Sequence, residues 1–279
     1  MKCAYCGNEG KRSKEHIISK SVLDLFKECN ITFDNNRVYK AEPMIRDVCT
    51  ECNNKRISYI DKYAKCFISK FFLKEYEKET FLKVDFDYVM LQKVFLKYIF
   101  NDLRSKKGDI SFFTEEIKQF LLDENKKNPI KNITILGGLS TFSYGIPKEV
   151  FGNKKLYWIN GVNFIEDGII KYIDYYNNEV KLNLNYKTKK IDKLSFIYLF
   201  RFNTGQFLIL FWKDENFKNE LQEILDEYPY SIFTERNTVI LTKCTSDLLN
   251  YYFPQLIDTT TSTLFAEEYS ARHKYFNEK

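Results

Sequence analysis

The chain of 279 residues contains only two histidines, His16 and His273, and no apolar run long enough to cross a membrane. Its longest apolar run, residues 207–212, is far below the ~20 residues that a transmembrane helix needs. The N-terminal residues MKCAYCGNEG also lack the apolar segment of a secretory signal. We therefore expect a cytoplasmic protein without a membrane partner, whose seven cysteines are thiols or metal ligands rather than disulfides.

The last two thirds of the sequence contain no glycine-rich phosphate loop, no nucleophile elbow and no acids clustered at ligand spacing. We interpret residues 81–279 as an accessory domain of unknown role, helical over residues 81–127 and β-rich over residues 130–255. Such a domain could form a homodimer, bind DNA, contact a partner protein or sense a ligand. The sequence leaves these alternatives open.

The positive charge is concentrated near the N-terminus. The whole chain carries a formal net charge of +5, and residues 1–80 hold 16 Lys and Arg against 12 Asp and Glu. That bias suits an anionic partner such as DNA, although a solvated surface would look much the same. The hydrophobic content of 44% is ordinary for a globular protein and sufficient for a substantial core.

Hydrophobic spacing predicts the regular elements. Helices are expected over residues 50–76, 88–105, 114–125, 215–227 and 246–252, with Thr114 as the N-cap of the third. Strands are expected over residues 31–33, 37–40, 132–136, 156–159, 162–165, 194–202, 206–212 and 231–241, the last as one strand or a pair. Asp34-Asn35-Asn36, Asn160-Gly161 and Asn203-Thr204-Gly205 are predicted to be hairpin turns.

Four cysteines stand in two closely spaced pairs, Cys3 with Cys6 and Cys49 with Cys52. Two residues between cysteines allow both thiolates to reach one ion from a tight turn, and two such pairs complete a tetrahedral sulfur shell. The sequence therefore predicts a structural Zn²⁺ site. The 42 residues between the pairs are more than a minimal zinc ribbon holds, so a functional insert is expected there.

That insert contains an acid–histidine pair, Glu15-His16, and Asn53 directly follows the last cysteine. The predicted zinc would pin both ends of the insert, so these three side chains could converge on one point. Carboxylate and amide oxygens are hard ligands that suit Mg²⁺ or Mn²⁺. A neutral histidine can take a proton from water near pH 7. Together they form a sensible constellation for phosphodiester hydrolysis.

The string C-x-x-C … E-H-I-I … V-C-x-x-C-N-N-K, within residues 1–65, resembles the HNH or ββα-metal endonucleases that have a zinc-binding frame. It is also similar to phage nucleases that resolve Holliday junctions, in which an asparagine directly follows the last zinc cysteine. The resemblance implies an α+β fold, with a zinc-bound ββα-metal module over residues 1–80 followed by the accessory domain. It also implies a DNA endonuclease, of the kind that acts in bacterial restriction or anti-phage defence with a defence-system partner.

The residues of the matching motif carry the family's roles over to this chain one by one. The resemblance implies that Glu15 and Asn53 ligate the catalytic Mg²⁺ or Mn²⁺ and that His16 is the general base. The structural Zn²⁺ would be held by Cys3, Cys6, Cys49 and Cys52. Basic residues close to these positions are expected to contact DNA phosphates: Lys14, Lys20, Lys55 and Arg56.

Three features of the family have no clear counterpart. Ser19 stands where many members have proline, the glycine pair that soon follows in the family is missing, and the asparagine that braces the histidine loop is not evident. Arg46 and Asp47 lie in the corresponding region, and Asn35 or Asn36 could serve from the hairpin. The sequence does not fix which residue orients His16.

A different class of function also fits these residues. In a catalytically inactive, zinc-dependent module that binds nucleic acid or protein, the zinc frame and basic bias would hold the partner, and Glu15 and His16 would be incidental. Demand for a second, exchangeable cation would separate the two hypotheses. A thiol redox protein fits poorly, because such proteins usually carry a single C-x-x-C at a helix N-terminus.

Overall fold

The computed structural model describes residues 1–29, 32–34, 37–39, 42–77, 79–140, 156–161, 163–176, 179–244 and 256–257. Helices and antiparallel sheets are combined, which confirms the predicted α+β class. The predicted helix over residues 246–252, the turn at Asn35-Asn36 and His273 lie outside the described residues. Within the described part of the chain, no helix combines the length and apolar character needed to span a membrane.

The N-terminal part is built on one antiparallel strand pair, β1 and β4, in which Arg12 is opposite Cys49 and His16 is opposite Met44. Its elements are β1 (Arg12–His16), α1 (Lys20–Leu23), a 3₁₀ turn (Asp24–Cys29), β2 (Thr32–Asp34), β3 (Arg37–Tyr39) and β4 (Met44–Cys49). Strands β2 and β3 form the predicted hairpin. A π-helical turn (Cys52–Arg56) and α2 (Ser58–Phe71) follow β4.

The helix predicted over residues 50–76 ends five residues early, at Phe71. The loop that contains Asn203 and Thr204, far away in the sequence, explains this early end. The side chains of Asn203 and Thr204 both donate to the carbonyl of Phe72, at 3.0 Å each, and Thr204 also reaches the carbonyl of Lys74. These bonds satisfy carbonyls beyond the helix end, so the chain can leave the helix without leaving polar groups unpaired.

Helix α3 (Tyr88–Ser105) has the bounds that the sequence predicts. Asp87 caps it by accepting a hydrogen bond from the amide of Met90 at 2.9 Å. Residues 88–103 are all buried, because the N-terminal part, α4 (Glu115–Leu122) and a large sheet surround the helix. Thr114 is the N-cap of α4, as predicted.

Five antiparallel strands form the large sheet: β6 (Ile133–Leu139), β7 (Leu156–Asn160), β10 (Leu194–Phe202), β11 (Gly205–Trp212) and β12 (Ser231–Phe233). Their order across the sheet is β12-β6-β11-β10-β7. The predicted hairpin of β10 and β11 is confirmed, with a loop of Asn203 and Thr204. Strand β5 (Leu82–Asp85) pairs with β13 (Thr238–Leu241), so the segment 231–241 is a pair of strands in two sheets.

The predicted hairpin at Asn160-Gly161 is wrong. Gly161 has the positive φ of a turn, at 76°, but the strands on either side belong to different sheets. Strand β7 pairs with β10, whereas β8 (Asn163–Tyr176) pairs with β9 (Glu179–Thr188) and with β14 (Leu256–Ile257). Strand β7 pairs with the apolar strand β10 rather than with β8, so the turn at Gly161 leads the chain from one sheet to another.

One hydrophobic cluster runs from the N-terminal part through α3 to one face of the large sheet, and includes residues from both sides of position 80. A smaller cluster lies on the opposite face, under α5 (Lys218–Glu227). The N-terminal strand pair and α2 are therefore held against α3, which places polar side chains of α3 behind Glu15 and His16.

Candidate metal centre and adjoining cleft

The ligand atoms of Cys3, Cys6, Cys49 and Cys52 all lie within 4.8 Å of one another. Four sulfurs at ~2.3 Å from a tetrahedral Zn²⁺ would be about 3.8 Å apart, and the sulfurs of Cys6 and Cys49 are 4.0 Å apart. Because the four thiols and their spacing suit this ion, the cluster could hold one zinc. This is the centre that the two C-x-x-C pairs predict.

Local backbone geometry brings the two cysteine pairs together. Gly7 turns the chain after the first pair with a φ of 71°. Gly10 allows β4 to approach, since a Cβ at this position would lie 2.9 Å from the Cβ of Cys49. The amide of Cys49 then donates to the sulfur of Cys3 at 3.3 Å, and the amide of Cys52 donates to the sulfur of Cys49 at 3.4 Å.

Hydrogen bonds and burial also change the acidity of Cys3 and Cys52. Burial alone would raise the pKa of Cys3, but hydrogen bonds from the backbone of Cys49, Cys6 and Tyr5 outweigh it and lower the pKa to about 7. Burial, together with the neighbouring thiols, raises the pKa of Cys52 well above its ordinary value. A cluster of this kind binds a divalent cation as its thiols lose their protons.

A cleft of about 300 Å³ lies beside the cysteine cluster and brings together the three residues predicted to carry the chemistry, Glu15, His16 and Asn53. Glu15 and His16 end β1, and Asn53 lies in the π-helical turn directly after Cys52. The other residues that line the cleft are Lys14, Ser19, Lys20, Ser21, Ser58 and Asp61.

Asn53 is fixed in one orientation. Its amide nitrogen donates to the carbonyl of Lys14 at 2.9 Å and to the hydroxyl of Ser13 at 3.1 Å. The Lys14 carbonyl can only accept, and the Ser13 hydroxyl already donates to the carbonyl of Val48. Both amide protons of Asn53 are therefore used, and its Oδ1 is the atom that it can offer to a cation.

Glu15 is buried and anchored from behind by α3. Its Oε1 accepts from Nζ of Lys97 at 2.8 Å and from the amide of Asn101 at 3.3 Å. Lys97 is completely buried and also donates to Asp61, which lines the cleft. Burial raises the pKa of Asp61, although the ammonium of Lys97 counteracts the effect. Lys97 is thus shared by two acidic side chains in this corner of the cleft.

His16 is braced by a residue that the sequence did not single out. Its Nε2 donates to Oε2 of Glu42 at 2.9 Å. The other carboxylate oxygen of Glu42 accepts from Lys20 at 2.7 Å, and that hydrogen bond lowers the pKa of Glu42. Arg46 and Asp47, two of the residues that the sequence offered for the brace, do not contact the His16 ring at this position. Asp47 instead pairs with Arg104 at 2.5 Å.

The four lysine and arginine positions predicted to meet DNA differ in their surroundings. Lys14 is exposed at the rim of the cleft. Lys20 is engaged with Asp24 and Glu42, at 2.6 and 2.7 Å. Lys55 forms an exposed ion pair with Glu51 at 3.1 Å, and Arg56 is half-buried.

Sequence reasoning missed Glu42, Asp61, Lys97 and Asn101. Lys97 and Asn101 did carry a signal, because with Lys93 they are polar residues spaced by four along an otherwise apolar helix. No comparable pattern marks Glu42.

Polar side chains of α3 extend beyond the cleft in both directions. The carbonyl oxygen of the Asn101 amide accepts from the Tyr5 hydroxyl at 2.7 Å and from Arg104 at 2.6 Å. One residue further, Asp102 accepts from Trp158 and Tyr198 of the large sheet, both at 2.9 Å. Buried hydrogen bonds thus join the cysteine module to the sheet through α3.

A second, larger groove of about 560 Å³ runs beside Cys3 and the end of α3. Cationic side chains outnumber acidic ones among the charged residues that line it, which are Lys2, Asp47, Arg104, Lys107, Glu115 and Lys118. The groove therefore adds positive potential next to the cysteine cluster.

No family model matches the chain, and neither a curated protein nor a solved structure was found to be similar to it. The cysteine cluster by itself does not identify a family.

Proposed function

We propose that the chain is a metal-dependent endonuclease of the HNH type that hydrolyses phosphodiester bonds in DNA. One observation carries the proposal: Glu15, His16 and Asn53, which come from two separate segments, line a single cleft beside a four-cysteine cluster. That convergence is what the resemblance to the zinc-framed ββα-metal nucleases requires. An antiparallel strand pair followed by a helix also suits that fold. A role in restriction or defence follows from the resemblance alone.

Each residue has a separate task in this proposal. Glu15 and Asn53 present oxygens suited to Mg²⁺ or Mn²⁺, and such an ion, when bound, would neutralise charge on the phosphate and on the leaving oxygen. His16 takes a proton from the attacking water. The water oxygen forms the new bond to phosphorus, the bond between phosphorus and the 3′ oxygen breaks, and the departing oxygen is protonated by solvent. Lys14 lies at the rim, where it can attract the DNA backbone.

The test is cleavage of supercoiled plasmid by the full-length, zinc-loaded protein in Mg²⁺, in Mn²⁺ and after removal of free divalent cations. We expect nicked or linear product only with added cation, and a large loss of product with Glu15→Gln. Glu51→Gln is the matched control, because Glu51 is an exposed carboxylate paired only on the surface. Cleavage that is independent of added cation would contradict the proposal.

A zinc-dependent binding module is the second candidate, and one contact favours it. The Glu15 carboxylate is already neutralised by Lys97 at 2.8 Å, so it has less to gain from a cation. This candidate predicts DNA binding that weakens steeply with salt while no product forms, whichever cation is added.

A further inference from the structure

The brace on His16 comes from the segment just before β4. The amide of Ile17 donates to the carbonyl of Pro43 at 3.1 Å, and His16 is opposite Met44 in the strand pair. These backbone contacts place Glu42 alongside the imidazole ring. The side chains of His16 and Glu42 are only 21% and 24% exposed, so water competes weakly for their hydrogen bond.

A carboxylate can only accept a hydrogen bond, so the contact at 2.9 Å requires a proton on Nε2 of His16. In the neutral ring the lone pair then lies on Nδ1. We propose that Glu42 is a positioning residue: it holds His16, which lines the cleft, in the tautomer whose Nδ1 is the proton acceptor. The assignment of a catalytic purpose to this contact rests on the proposed nuclease function.

Lys20 supports the same arrangement. It donates to Glu42 and to Asp24, so its ammonium keeps the Glu42 carboxylate ionised and fixes the oxygen that does not face His16. Lys20 therefore supports Glu42 from the rim of the cleft.

The tautomer can be measured without any assumption about activity. Because the chain has only two histidines, selective ¹⁵N labelling gives signals from just two imidazole rings, and His16→Gln assigns them. In neutral imidazole the unprotonated nitrogen resonates far downfield of the protonated one, so the spectrum shows which nitrogen carries the proton. We expect the zinc-loaded wild type to show a single His16 tautomer protonated on Nε2.

Three variants test whether Glu42 is the cause. Glu42→Ala should give an averaged mixture of tautomers, and Glu42→Gln should retain the wild-type tautomer because its amide oxygen still accepts from Nε2–H. Asp24→Asn, which removes the other partner of Lys20, is the matched control and should leave the tautomer unchanged. An unchanged tautomer in Glu42→Ala would overturn the proposal.

Cleavage measurements on the same proteins complete the test. Glu42→Ala should lower kcat by about 10- to 100-fold while KM for DNA changes by less than about threefold, as for other residues that orient a functional side chain. Glu42→Gln should recover at least about half of that loss on a logarithmic scale. A purely structural role would lower thermal stability and leave both tautomer and kcat unchanged. If the wild type fails to cleave DNA, the nuclease proposal falls, whereas the tautomer spectra still decide the role of Glu42.

Discussion

Replacement of Lys97 by methionine should destabilise the protein strongly, because it leaves two carboxylates without their shared cation. Lys97 is completely buried and Glu15 is 5% exposed, so solvent screens this pair weakly. At 2.8 Å and an effective dielectric constant of ~20, the attraction is about 6 kcal/mol, of which the desolvation of Lys97 offsets part. The net loss on removing one partner of such a pair is about 3–5 kcal/mol.

For a chain of this size that loss corresponds to a fall in Tm of roughly 10 °C, measurable by circular dichroism. Lys55→Met is the matched control. It removes the same group from an ion pair of similar length, 3.1 Å, but the two side chains are 73% and 60% exposed, so we expect a loss below about 1 kcal/mol.

A double-mutant cycle separates the ion pair from other effects of the substitutions. Glu15→Gln combined with Lys97→Met should lose less stability than the sum of the two single variants, by about 2 kcal/mol, because the double variant no longer leaves a charge unpaired at this contact. Strictly additive losses, or a Lys97→Met variant as stable as Lys55→Met, would show that the buried ion pair of Lys97 and Glu15 does not stabilise the fold.

Three other outcomes follow from the cysteine cluster and from buried contacts of α3. Chelation of zinc should abolish hydrogen-exchange protection in β1 and β4 before it affects β10 and β11, and equal loss in both regions would contradict a local role for the ion. Burial lowers the pKa of Lys93 to about 8, from 10.5, so the folded state binds its proton less well than the unfolded state. The contribution of Lys93 to stability therefore rises as pH increases from about 8 to 10.5. Urea denaturation should give Lys93→Met a larger free energy of unfolding than the wild type at pH 7, and a smaller difference between the two at pH 10. Tyr198→Phe should cost about 1–3 kcal/mol in the same assay, because Asp102 loses a buried donor at 2.9 Å, and a neutral effect would contradict that role.

Local sequence signals predicted the parts of this molecule that depend on local physics. The bounds of α3 follow from its apolar content and its Asp87 cap, and the cysteine cluster follows from two C-x-x-C pairs. The hairpin of β10 and β11 follows from two apolar strands separated by a short polar loop.

Features set by distant residues could not be predicted in this way. The early end of α2 depends on hydrogen bonds from Asn203 and Thr204, about 130 residues away. The strands on either side of Asn160-Gly161 pair with distant strands in two different sheets, and no local signal in the sequence identifies those partners. In the cleft, Lys97 and Asn101 reach Glu15 from α3, and Glu42 reaches His16 across 26 residues, so no spacing in the sequence assigns them.

The central claim is that His16 acts as the general base of a cation-dependent nuclease. The most direct measurement is the initial rate of plasmid nicking in Mn²⁺ by the wild type and by His16→Gln, each purified identically and each shown to contain one zinc per chain. We expect the variant still to bind DNA and its nicking rate to fall by about 10²- to 10⁴-fold. Equal rates would show that another site or another protein performs the cleavage and would contradict the role of His16 as general base.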